Sequence, residues 1–328
     1  MGEFLSVPIR DKVTEEGENS TLKFASCGMQ GWRKRMEDSH IADLSVGGNN
    51  NIHVFGVFDG HGGKEVAQWV KKKFSEELSK NKNFKAGKHN KALEENFLKM
   101  DSLMLENAGK QELKEEARKA KIEDEKANRE GDNAKKDMFR SIFDPKSNDD
   151  CDVAMYTGCT ATVCLIDDKK AYFANAGDSR IVVSKNGVAY AMTVDHKPDL
   201  DEERTRIYKA DGWVSDGRVK GNLNLSRSLG DMEYKQNKKI SAEDQMITAF
   251  PEVTTSNLQD VDFIFLGCDG VYDCLSNQEI VDFITSRLKK NPNIKLGKIL
   301  EEMLDQILAP DIYTGKFLTN LYNFKFIY

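Results

Sequence analysis

An apolar run from Ile52 to Phe58, IHVFGVF, stops abruptly at DGHGG. A run of that length, closed by an acid and glycines, predicts a buried strand with a turn at its end, a place where functional side chains are displayed. From Lys64 the period lengthens: Val66, Ala67, Val70, Phe74 and Leu78 recur at helical spacing. A second helix is expected from Ala92 to Leu105. Further strands are expected from Leu22 to Gly28, Thr160 to Ile166, Ala171 to Ala176 and Ile181 to Ser184, with Asn186-Gly187 as a hairpin turn. Another strand, Ile264 to Gly267, again runs straight into acid and glycine, in GCDGVYD. Helices are expected over 199–211, from Ser276 to Leu288 and from Leu296 to Leu308, and no internal repeat is visible. Strands that bracket pairs of helices point to a layered α+β fold and away from an alternating βαβ array.

The stretch from Lys110 to Asp137 breaks the pattern. Charges of both signs mix and bulky apolar residues are almost absent, so it lacks the surface needed to join a core. The expectation for 107–150 is a solvated helix or a disordered insertion running on into DPKSNDDCD.

Composition narrows the classes. The 328 residues allow one large domain or two ordinary ones. A net charge of −6 argues against a nucleic-acid partner, which would select a basic patch. Six cysteines without a Cys-x-x-Cys pair or a secretory signal read as reduced thiols, and a monomer in the cytoplasm or nucleus is the default expectation. No apolar run approaches the ~20 residues of a membrane span. The start MGEFLS fits the Met-Gly-x-x-x-Ser pattern for myristoylation at Gly2, though the acidic Glu3 counts against it. A single acyl chain would give only marginal, reversible membrane contact.

The acids in short, tight contexts then carry the chemistry. Glu37 and Asp38 lie in GWRKRMEDSH, Asp59 in FDGHGG, Asp178 in AGDSR and Asp269 in GCDGVYD, with Asp273 four residues on. A carboxylate at the mouth of a buried sheet is costly to desolvate unless positive charge compensates. No matching set of buried basic partners is legible, and divalent cations would serve. All-oxygen ligands favour Mg²⁺ or Mn²⁺ over zinc. Arg33 could grip a phosphate through paired hydrogen bonds, and His61, within DGHGG, could protonate a leaving group.

The segments GWRKRMEDSH, VFGVFDGHGG, TGCTATV, YFANAGDSR, DHKPD, LSRSLGD and LGCDGVYD resemble, in order, the motifs of the metal-dependent protein serine/threonine phosphatases of type 2C. The resemblance covers about residues 20–311. It implies a central β-sandwich of two antiparallel sheets flanked by pairs of antiparallel helices, a four-layer αββα arrangement with the metals in a cleft at one end. It also implies hydrolysis of phosphoserine and phosphothreonine on proteins by a hydroxide bridging two metals. Asp59 resembles the bridging carboxylate, Glu37 and the Gly60 carbonyl ligands of one ion, and Asp269 a ligand of the other. Asp38 and Asp273 would act through water, and Asp178 with Asp269 resembles the pair holding a weaker third ion. Arg33 resembles the phosphate-binding arginine, His61 the general acid, and Thr193 to Lys235 the flap beside the cleft.

The C-terminal end departs from that pattern. The family closes on Gly-x-Asp-Asn-Met-Thr, whose aspartate holds the same ion as Asp269, whereas this chain continues from Asp311 as IYTGKFLTNLYNFKFIY, without an acid. Residues 312–328 are therefore expected to replace the last motif and strand without supplying a carboxylate, unless Asp311 substitutes. A phosphoprotein-binding module with impaired turnover is the alternative reading. A third reading, a cysteine-based phosphatase, rests on Cys27-x5-Arg33 alone. The residues GMQGW between them lack the expected loop chemistry.

Overall fold

The computed structural model describes residues 4–130, 152–311 and 321–327. The expectations for Gly2, for the insertion beyond Glu130 and for residues 312–320 lie outside them. In chain order the first half comprises β1 (Phe4–Glu18), β2 (Lys23–Arg33), β3 (Ser39–Asp43), β4 (Ile52–Phe58), β5 (Gly60–His61), α1 (Glu65–Lys80), α2 (Lys82–Lys85), α3 (His89–Leu105) and α4 (Asn107–Glu130). The middle comprises β6 (Gly158–Cys159), β7 (Ala161–Asp167), β8 (Lys170–Ala176), β9 (Arg180–Lys185), β10 (Val188–Ala191), α5 (Asp201–Lys209), β11 (Val214–Ser215), β12 (Arg218–Val219) and β13 (Leu229–Gly230). The remainder comprises β14 (Glu252–Asn257), β15 (Val261–Gly267), α6 (Asp269–Tyr272), α7 (Asn277–Lys290), α8 (Leu296–Ile307) and β16 (Leu321–Ile327).

Two antiparallel sheets form the centre, ordered β1-β2-β16-β15-β9-β10 and β14-β8-β7-β4-β3. Strand alternation sorts their side chains into three apolar layers. On β15, Ile264 and Leu266 meet Phe55 and Val57 of β4 and Cys164 and Ile166 of β7 between the sheets. Phe263 and Phe265 turn outward onto Ile280 and Ile284 of α7 and Leu300 and Leu304 of α8. Val54 and Phe58 of β4, with Val163 and Leu165 of β7, face Phe74 and Leu78 of α1 and Phe97 of α3. The result is the expected four-layer αββα sandwich.

One expectation changes. The charged stretch is helical through Glu130 and is not merely solvated. Gly109, Leu113, Glu116 and Ala120 of α4 are buried, a 4-3-4 spacing that keeps one stripe inward. Leu113 joins the core beneath α1 and α3, and Glu112 accepts hydrogen bonds from Trp69 Nε1 (2.7 Å) and Lys73 Nζ (2.8 Å). Charge in this helix is matched across the α1 interface, so a single leucine suffices to anchor it. At the other end, β16 pairs antiparallel with both β15 and β2. The atypical tail thus fills the strand position and leaves no open edge there.

Candidate active site

The strands of both sheets deliver acids to one end of the sandwich. Asp59 follows β4 of one sheet and Asp269 follows β15 of the other; Asp178 follows β8, and Arg33 ends β2. Glu37 and Asp38 lie between β2 and β3. The Glu37 loop reaches Asp59 because residue 60 is glycine: a Cβ there would stand 2.3 Å from the Glu37 carbonyl oxygen. The turn is tied to β6 and β7 by Thr160, whose N–H donates to the Asp59 carbonyl (2.8 Å) and whose hydroxyl meets Ser179 Oγ at 2.8 Å.

Arg33, Glu37, Asp59, Gly60, His61, Asp178 and Asp269 together line a cleft of about 280 Å³, with Asn224 and Leu225 on its flap side. Asp38 lies beneath, 7% exposed, and Asp273 is exposed at the rim. Among the nine residues predicted for the site, none is left in another part of the molecule. Asp311 does not line the cleft.

The electrostatics show what these acids lack. Burial, then Asp38 and Asp178, push the Asp59 carboxyl well above the usual carboxylate range. Burial, then Asp59, Asp178 and Asp273, do the same to Asp269, and burial raises Glu37. Burial pushes Asp38 up to about 7, against the pull of Asp59 and Cys268. Ligand atoms of Asp38, Asp59 and Cys268 lie within 4.8 Å of one another, yet neither Asp38 oxygen makes a hydrogen bond of good geometry. Clustered acids with orphaned oxygens fit hard divalent cations such as Mg²⁺ or Mn²⁺.

The raised pKa has a sign that can be tested. An acid whose folded pKa exceeds its unfolded value costs stability above the unfolded value, fully so once pH passes the folded one. At pH 8 and without metal, Asp38→Asn is therefore expected to raise Tm by at least ~3 °C. Saturating Mn²⁺ should erase that advantage. Differential scanning calorimetry of both proteins with and without Mn²⁺ measures it, and a lower Tm for the metal-free variant would contradict the account.

One basic partner went unread in the sequence. Lys197 of DHKPD, its side chain half-exposed, donates to Asp178 Oδ2, a single partner for one acid of the cluster. Arg180 also does unpredicted work: it forks onto Asp195 (2.8 and 2.9 Å), reaches Asn277 and stacks 4.4 Å over Tyr272, fastening the Asp178 turn to α6. Asp231 of LSRSLGD meets His61 Nε2 at 2.7 Å. Burial alone would lower the His61 pKa, but Asp231, Asp59 and Glu37 outweigh it and raise it. All three partners lie in motif segments whose individual side chains carried no spacing signal.

The cysteine-nucleophile reading fails on position. Cys27 lies in mid-β2, wholly buried against the helix layer, and burial pushes its thiol up to about 11. A reactive thiol needs access and a lowered pKa.

The family model described as "Protein phosphatase 2C" matches residues 22–312. The chain belongs to the protein phosphatase 2C family. This phosphatase is 46% identical over 324 residues to "Probable protein phosphatase 2C 3" of Paramecium tetraurelia, covering 98% of this chain and 97% of that one. It is 42% identical over 338 residues to "Probable protein phosphatase 2C 21" of Arabidopsis thaliana, covering 98% and 91%. A solved phosphatase from Toxoplasma gondii superimposes with a TM-score of 0.69 at 19% identity over 97% of this chain and 95% of that chain, which supports the fold. Among the described residues of the phosphatase, no helix is long and apolar enough to cross a membrane.

Proposed function

We propose that this chain hydrolyses phosphoserine and phosphothreonine esters on proteins with Mg²⁺ or Mn²⁺. The observation that carries the reading is the convergence of Glu37, Asp59, Asp178 and Asp269 from two sheets into one cleft with Arg33 and His61. Asp59, Glu37 and the Gly60 carbonyl would hold one cation, Asp59 with Asp269 the second, and Asp178 with Asp269 a weaker third. Bound cations supply Lewis acidity, bringing the pKa of coordinated water toward neutral and screening phosphoryl charge. Arg33 lines the same cleft, and its guanidinium orients the phosphoryl oxygens and takes up charge as it develops. His61 stands on the cleft wall and donates a proton to the departing serine or threonine oxygen.

A second reading has its own observation. After Asp311 the chain contains no acid, and β16, LYNFKFI, restores a strand without restoring a carboxylate. That favours a phosphoprotein-binding module with weakened metal affinity. Phosphate release from phosphothreonine and phosphotyrosine peptides, titrated with Mn²⁺ or Mg²⁺ and then with EDTA, separates the two. Metal-dependent turnover that prefers phosphothreonine supports the enzyme. No turnover at any metal concentration, in protein shown to be folded, leaves the binding module.

A further inference from the structure

Asp231 is built into the molecule from several sides. Its backbone is left-handed at φ 51° and ψ 42°, unusual for a residue other than glycine. Its N–H donates to the Thr157 carbonyl (3.1 Å), and its own carbonyl accepts from Tyr234 N–H (3.0 Å). The preceding Gly230 N–H donates to Asp101 Oδ1 of α3 (2.9 Å). Lys235 Nζ bridges Asp101 Oδ2 (2.6 Å) and the Ser228 carbonyl (2.7 Å), clamping both ends of the segment to α3. The side chain is 5% exposed, and its Oδ2 accepts from Ser228 Oγ at 2.5 Å and faces His61 Nε2 at 2.7 Å.

The small sheet β13-β6-β5 sets this contact. Gly158 pairs with Gly230 on one side and with His61 on the other. A Cβ on Gly158 would stand 2.3 Å from Asp231 Oδ2 and 2.7 Å from His61 Nε2, so the pair occupies the space that glycine leaves open. Asp231 itself does not line the cleft, whereas His61 does.

We propose that Asp231 is the positioning residue for His61. It commits the Nε2 edge of the imidazole and so fixes which edge of the ring faces the leaving group. The inference rests on the proton-donor reading of His61. It requires that Asp231 act on the step in which a poor leaving group departs and on little else.

The experiment compares a phosphothreonine peptide, whose alkoxide needs a proton, with p-nitrophenyl phosphate, whose acidic phenol needs less help. Asp231→Asn keeps the shape and removes the charge. It is expected to lower the ratio of the two kcat values, peptide to aryl, by about 10-fold, with KM for both little changed. His61→Gln should lower the same ratio further, and the double variant should match His61→Gln alone. If His61→Gln leaves the ratio unchanged, the proton-donor reading falls and the inference with it. If His61→Gln lowers the ratio and Asp231→Asn does not, the inference alone falls. Equal losses on both substrates, or losses that multiply in the double variant, also overturn it.

Ring ¹⁵N and ¹H NMR of His61 in wild type and Asp231→Asn reads the contact without turnover. A shift confined to His61 supports the pairing, and an unmoved His61 signal refutes it. Should Asp231→Asn fail to fold, Ser228→Ala removes one hydrogen bond from the Asp231 carboxylate and should lower the ratio by about 3-fold; an unchanged ratio there counts against the proposal.

Discussion

Asp59→Asn is expected to lower kcat/KM at least ~10³-fold, or about 4 kcal/mol of barrier, without lowering the Tm of the metal-free protein. The side chain keeps its size and the turn keeps its Thr160 hydrogen bonds, so folding has no reason to suffer. What disappears is the central charge. Asp38, Asp178 and Asp269 each interact electrostatically with Asp59. Removing it lowers cation affinity at every position it adjoins, because ligand charge sets affinity for hard divalent ions. A peripheral acid behaves differently: Asp273 is exposed and acts on Asp269 less than Asp59 and Asp178 do. Steady-state kinetics over a Mn²⁺ titration, with calorimetric binding of Mn²⁺ alongside, measure both parts. Activity within ~10-fold of wild type at saturating Mn²⁺ would mean that the acids at this end of the sandwich are not its metal centre.

The legible parts of the fold are those whose signal is local. β4 is found at the bounds expected, Ile52 to Phe58, because a strand buried on both faces is a continuous apolar run. The same reasoning locates Asp59 and Asp269, which follow such runs directly. β1 was not legible: fifteen residues rich in charge pair along β2 as an edge strand. Val7 and Val13 face solvent, while Lys12 and Thr14 meet Asp305 and Glu301 of α8 at 2.7 and 2.9 Å. The ladder to β2 and these contacts to a helix distant in sequence hold the strand there. α4 was misread for a related reason. Its buried stripe contains one large apolar residue, Leu113, between small Gly109 and Ala120, and its acids Glu112 and Glu116 pair with Lys73 and Lys72 of α1, charges that composition counts as solvated. Asp231 escaped because its role depends on a left-handed turn and on the space beside Gly158, neither of which leaves a periodic trace.

Glu203→Ala is expected to cost about 3–5 kcal/mol of stability. Glu203 is 2% exposed and is the shared counter-ion of two mostly buried arginines. Its carboxylate accepts from Arg227 Nη2 (2.6 Å), Arg206 Nη2 (2.8 Å) and Ser226 Oγ (2.6 Å). Truncation leaves two mostly buried guanidinium groups without their shared anion, which costs far more than the cluster gains by forming. The sign with pH follows from the same contacts. Burial alone would raise the carboxyl, but Arg227 and Arg206 outweigh it and hold it down to about 2, from 4.5. Its stabilisation is therefore fully present above pH 4.5 and lost as pH falls toward 2, a span worth about 3 kcal/mol. His196, which burial and then Arg227 push down from 6.5 to about 3, adds a separate loss as pH falls over that range. The variant should keep a histidine-linked decline and lose the carboxylate-linked one below pH 4.5. Urea unfolding at pH 7 and at several points down to pH 3 resolves the two slopes. A loss under ~1 kcal/mol at pH 7, with the acid slope unchanged, would show that the arginines find other partners. The segment at stake runs from Ser226 into Ser228 and Asp231, so the stability of this triad and the orientation of His61 rest on the same stretch of chain.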